Sequence, residues 1–260
     1  MTRDALALLS FDLEEFDIPN EFRRAIPKPE QIEVTLAGLQ RLTALLADRK
    51  IISTFFSTAV LALNAPEAVR NLGQIHEIAS HGYAHTGFSA SDPDRSKKVL
   101  EEITGKRVFG YRNPRFRPIA DQLLRNAGYT YNSSENPTFL PGRYCRLFSP
   151  RKAYRKGDLL RIPVSVSPLV RFPCFWLAFK NTPPPLFRAV AAWTLAEGGY
   201  LHLVFHPWEF ADLKDYNLPR WISSPCGQEL LEELASFLDW LGARARFTTL
   251  ADFSEAFLAR

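Results

Sequence analysis

Three observations predict an α/β fold built on a largely parallel sheet or barrel. Short apolar runs recur between segments of helical periodicity, prolines and glycines punctuate the boundaries, and ionisable residues gather where several runs end. Folds of this kind carry their chemistry at the C-terminal ends of the strands.

Residues 5–11 form the first strand, and a helix opens near Pro29 and runs to about Asp48. KIISTFFST at 50–58 supplies the second strand, residues 66–73 read as helix, and QIHEIAS at 74–80 as the third strand. RVFGYR at 107–112, YTYN at 129–132, LLRIPVSV at 159–166, GYLHLVFH at 199–206 and RFTTL at 246–250 continue the strand series. Pro118–Ala127 before Gly128, and Gln228–Leu241 before Gly242, read as helices with glycine stops. Residues 137–198 lack a regular period, and their prolines predict an irregular, aromatic-rich insertion within one domain spanning 1–260. Inside it, Phe172, Phe175, Trp176 and Phe179 are read as a buried packing face rather than a lipid-binding lip.

With 46% hydrophobic and 23% charged residues, the 260-residue chain has a globular composition. A net charge of +4 with scattered Lys and Arg argues against a nucleic-acid surface. No apolar run approaches the roughly 18 residues of a membrane span, and the first three residues leave no room for a secretory leader. A cytoplasmic protein is therefore expected. Cys145, Cys174 and Cys226 are widely spaced and odd in number, which predicts buried free thiols.

All five histidines fall in IHEIASHGYAH at 75–85 and LHLVFH at 201–206. His81 and His85, four apart after a candidate cap at Ser80, would share one face of a helix and could hold one metal ion. His202 and His206 have the same offset on a strand, where about 3.3 Å per residue separates them by roughly 13 Å. They cannot share a metal. His206, at the strand's end before Pro207, is the one able to face a site; His202 and His76 are read as hydrogen-bonded interior histidines. In SFDLEE at 10–15, Asp12 and Glu14 share parity on an extended chain, and Leu13 points away. One carboxylate and two imidazoles make a divalent-metal triad with open positions, and the other carboxylate could act as a base.

These residues together resemble the polysaccharide deacetylase family, also called the NodB-homology group or carbohydrate esterase family 4. SFDLEE at 10–15, TFFST at 54–58, HEIASHGYAH at 76–85, GYRNPRF at 110–116 and LHLVFHPWEF at 201–210 resemble its ordered motifs. The resemblance implies a distorted (β/α) barrel of about seven mainly parallel strands. It also implies metal-dependent removal of an N-acyl, usually acetyl, group from an amino sugar in a glycan, an oligosaccharide or a lipid-linked precursor. Asp12 would be the base, Arg112 its partner, His206 the acid, and Glu14, His81 and His85 the ligands of one divalent ion. Zinc is expected first, with cobalt, nickel or manganese as alternatives. Leu201 would line the acyl pocket, and Trp208 would stack on a sugar or plug a loop.

The chain departs from the family pattern in having Asp12-Leu13-Glu14 rather than adjacent aspartates, which leaves Glu15 as an alternative ligand. Asn132 stands where a supporting aspartate is common. An O-acetyl esterase and a non-catalytic carbohydrate-binding relative share the same motifs.

Overall fold

The computed structural model describes residues 5–259; the leader question raised by the first residues lies outside them. Among the described residues eleven strands are formed: β1 (Leu6–Leu13), β2 (Thr54–Ser57), β3 (Glu77–Ser80), β4 (Gly110–Tyr111), β5 (Tyr131–Asn132), β6 (Phe139–Leu140), β7 (Tyr144–Cys145), β8 (Tyr154–Lys156), β9 (Leu159–Arg161), β10 (Tyr200–Phe205) and β11 (Arg246–Thr248). The main sheet runs β10-β1-β2-β3-β4-β5-β9-β8, with β11 also paired to β1. All of its pairings are parallel except β8–β9. The sheet curls into a partly open barrel, and Ser165 N–H donates to His202 O at 3.1 Å across the gap.

Alternation along β1 divides the core. Ala7, Leu9, Phe11 and Leu13 join the outer core beneath the helices, whereas Leu8 packs inside with Phe56, Ala79, Tyr131 and Ile162. Period-two alternation with both faces covered explains why β1 reads as one apolar run. Helix Lys28–Asp48 begins with Pro29 in its first turn and buries Thr35, Leu39, Leu42 and Leu46. Helix Gly227–Gly242 buries Leu230, Leu234, Leu238 and Leu241 at helical spacing.

The strand expected at 159–166 is hydrogen-bonded as strand only over Leu159–Arg161, because Pro163 lacks an N–H. The expected insertion contains the antiparallel β6–β7 hairpin, two members of the main sheet and helix Pro184–Gly198. Of the four aromatic residues expected to form a buried face, Phe175, Trp176 and Phe179 are buried and Phe172 is only half-buried. The thiols differ from expectation: Cys174 is buried, Cys226 half-buried and Cys145 exposed on the short hairpin. Among the described residues, no helix is long and apolar enough to cross a membrane.

Candidate active site

Inward-facing residues become more polar toward the C-terminal mouth. Above the apolar layer of Leu8 lies Arg112, fully buried after β4 with its guanidinium 3.9 Å from the ring centre of Phe56. Its Nη2 donates to Ser10 Oγ and Ser133 Oγ, both at 3.0 Å, and its Nε donates to Ser133 O at 3.2 Å. Nη1 pairs with Asp12 Oδ1. His202 Nδ1 lies 3.0 Å from Pro163 O, so that nitrogen carries the proton and Nε2 accepts from Arg112 Nη2 at 3.1 Å. Burial and the adjacent Arg112 push the His202 pKa down to about 3. It is a neutral acceptor that fixes Arg112.

At the mouth, Glu14 Oε2 lies 3.0 Å from His81 Nε2 and 3.1 Å from His85 Nε2. Asp17 Oδ1 accepts from His85 Nδ1 at 2.6 Å, which fixes the ring with Nε2 facing Glu14. That carboxylate–histidine pairing is how metal-binding imidazoles are oriented. His81 presents Nε2 to the cluster, and its buried Nδ1 has no protein partner among the described residues. The donors of Glu14, His81 and His85 all lie within 4.8 Å of one another. Two imidazoles and one carboxylate suit a divalent ion with open positions, so these residues fit the group their types imply. Burial alone would raise the Glu14 carboxyl, but His85, His206 and His81 outweigh it and hold the group far below the ordinary carboxylate value.

The structure corrects the helical reading of His81 and His85. Both lie on an irregular loop after β3, with their rings 5.9 Å apart and 18° from parallel. Gly82 takes φ +80°, and its N–H reaches Ser80 Oγ at 3.2 Å, so Ser80 closes a local turn rather than capping a helix. The carbonyls of Gly82 and Tyr83 accept instead from Ala59 and Val60, the first N–H groups of helix Ala59–Asn64. Those bonds dock the loop without an i,i+4 ladder.

His206 follows β10 on the opposite wall. Its Nε2 is 3.9 Å from Asp12 Oδ2 and 3.8 Å from Glu14 Oε1, while its Nδ1 meets Glu209 Oε1 at 3.1 Å. Burial disfavours the imidazolium, yet Glu14, Glu209 and Asp12 outweigh it and raise the pKa. Glu209 also accepts from His206 N–H at 2.7 Å, and buried Lys180 pairs with its other oxygen at 3.4 Å.

Asp12, Glu14, His81, His85, Arg112 and His206 therefore converge. The remaining expected residues do not share their roles. Glu15 turns away and accepts from Thr58 Oγ1 at 2.6 Å. Leu201 has the parity of Leu203 and lies in the outer core, paired with Ala7 and remote from the mouth. Trp208 is fully buried, stacked on His206 and edge-on to Trp176, with Nε1 donating to Glu14 Oε1 at 3.3 Å. It offers no free face to a sugar and acts as the plug. Asn132 Oδ1 accepts from Ser134 N–H at 2.8 Å, so it supports neither Arg112 nor His206.

Two carboxylates carry work that the motif reading missed. Asp17 was legible as the fourth acid of DLEEFD, with no visible partner. Glu209 stands in LHLVFHPWEF with nothing in the motif to tie it to His206, whose N–H and Nδ1 it meets. Arg115 joins them, with Nη2 3.4 Å from Asp17 and 3.0 Å from Glu21.

The family model described as polysaccharide deacetylase matches residues 36–132, a span that contains His81, His85 and Arg112. A peptidoglycan deacetylase-like protein of Gibberella zeae is 37% identical over 67 residues, which span 22% of this chain and 20% of that relative's length. A putative polysaccharide deacetylase from Mycobacterium smegmatis has a similar fold, with a TM-score of 0.67 at 22% identity over 99% of this chain and 91% of that one. A Puue allantoinase also aligns, with a TM-score of 0.69 at 18% identity over 100% of this chain and 92% of its own.

Proposed function

We propose that this chain is a member of the polysaccharide deacetylase (NodB-homology) family, whose model matches residues 36–132, and that it hydrolyses an N-acyl, usually acetyl, amide on an amino sugar. The observation that carries this reading is the convergence of a carboxylate–imidazole triad with Asp12 and His206 on two sides of one cleft. Glu14, His81 and His85 would hold a divalent ion, zinc first by donor type. When bound, that ion supplies the Lewis acid that a poorly electrophilic amide carbonyl needs.

The protein's own groups account for the proton movements. Arg112 engages Asp12 Oδ1, which leaves Oδ2 toward the cluster, 3.9 Å from His81 Nε2. Asp12 Oδ2 takes a proton from water as its oxygen adds to the acyl carbon. Glu209 occupies His206 Nδ1, so the transferable proton of His206 is on Nε2. That proton passes to the amide nitrogen as the C–N bond breaks, giving a carboxylic acid and a free amine. His206 is suited to the role because its neighbours favour the imidazolium.

Metal-loaded protein incubated with N-acetylated amino-sugar oligosaccharides should release acetate and leave an amine, read by mass. Asp12→Asn and His206→Ala should each retain metal and lose roughly 10²–10⁴ in rate. For His206→Ala, the loss should be much smaller on an activated acetate ester, whose leaving group needs no proton. Unimpaired amide hydrolysis in either variant would remove that residue from the mechanism. Ester turnover without any amide turnover in the wild type would make the protein an esterase.

A further inference from the structure

The cleft at His206 continues past the cluster. Leu140, Arg143, Phe175, Trp176 and Leu177 wall both the cleft and a second hollow of about 530 Å³. The two form one depression. Ala178, Pro173, Phe172, Ile222 and the half-exposed Trp221 complete the second part, and Arg143 at the junction is its one charged lining residue. Its other polar linings are Asn181 and Thr182, and Asn181 already spends its amide N–H groups on Leu177 O and Trp221 O at 2.9 Å each. A sugar ring needs several directional partners for its hydroxyls, and this hollow offers few. Its size and apolar walls suit a hydrocarbon chain better than a sugar ring.

Trp176, which walls the hollow, packs edge-on to His206 at 5.2 Å, so with His206 as the acid of the deacylase reading the hollow would lie on the side of the nitrogen retained by the sugar. Leu169 and Val170 are exposed on the turn that leads into the lining residues Phe172 and Pro173. Resting on the deacylase reading above, we infer that this hollow holds the hydrocarbon chain of an amphipathic substrate, attached on the sugar side of the amide. The substrate class is then a lipid-linked N-acyl amino sugar rather than a free polymer.

Methyl and dodecyl glycosides of N-acetylglucosamine, kept below micelle-forming concentrations, test the inference on metal-loaded protein. Each buried methylene can strengthen binding about fourfold, so kcat/KM for the dodecyl glycoside should exceed that for the methyl glycoside at least tenfold. Ala178→Glu should abolish the gain and leave the methyl glycoside unchanged, which doubles as the folding control; Trp221→Ser should reduce it. Calorimetric binding to Asp12→Asn, which reads affinity without turnover, should show the same chain preference and its loss on adding Ala178→Glu. Equal affinity for the two glycosides, a chain preference untouched by both substitutions, or a gain seen only with an N-dodecanoyl chain would overturn the assignment. Chain-dependent binding that Ala178→Glu abolishes, without turnover of either glycoside, would support the hollow and count against the deacylase reading.

Discussion

Glu14 and Glu15 are neighbours in sequence and point to different parts of the molecule, one to His81 and His85, the other to Thr58. Glu14→Ala should therefore abolish metal stoichiometry, and Glu15→Ala should leave it intact; release of metal by the second variant alone would reverse the assignment. Asp17→Asn keeps a hydrogen-bond acceptor for His85 and loses the charge, so metal affinity should fall about 10–100-fold, measured by competition with a chromogenic chelator. Glu209→Gln acts on the opposite wall. Glu209 is one of the groups that raise the His206 pKa, so its neutralisation should move the alkaline limb of the rate profile to lower pH while metal stays bound. An unmoved limb would assign Glu209 to holding the turn alone.

At the scale of elements, the turn Pro207–Phe210 that carries Trp208 and Glu209 is seated on helix Lys28–Asp48. Gly38 makes that seat possible: a Cβ there would collide with Pro207 O and lie 3.1 Å from Ala211 N. Helix propensity favours Gly38→Ala by about 1 kcal/mol, but overpacking against backbone costs about 1–3 kcal/mol, so the substitution should destabilise. It should also displace His206 and depress amide hydrolysis with metal retained; urea unfolding and metal analysis check both, and a stabilised, fully active variant would sink the argument. β1 and β10 were legible because each is an apolar run ending in a polar residue that only a site explains, Asp12 and His206. β4 and β5 have two residues each and carry little period of their own. The offset of four between His81 and His85 fits a helix and a loop equally, and what decides between them is the distant N-terminus of helix Ala59–Asn64. Asp17, Glu209 and the outward face of Leu201 depend likewise on contacts that the motifs do not encode.

The molecule as a whole buries histidines of opposite tendency, and this shapes its stability in the metal-free state. Burial pushes His76 down to about 4, and burial together with Arg112 pushes His202 to about 3. Below about pH 6.5 the unfolded chain gains protons that these folded rings refuse, so stability falls as pH drops toward 4 and 3. Glu14 adds to the loss below about 4.5, since its stabilising charge disappears as the pH approaches its lowered folded value. His85 and His206 work in the other direction. Their folded values are raised by Glu14 and their other acidic neighbours, so their contribution is complete below about 6.5 and is lost as pH climbs through those values. Metal-free protein should accordingly show a maximum of thermal stability near pH 6.5. His76 alone should account for a decline on the order of 2 kcal/mol by pH 4, once the solvent near its ring is allowed for. Calorimetric melting in chelator from pH 4 to 9 measures the curve. His202→Gln, whose carbonyl can still accept from Arg112, should flatten part of the acid limb. An unchanged acid limb in that variant would mean that His202 is not the group refusing the proton, and a melting temperature constant across the range would overturn the whole assignment.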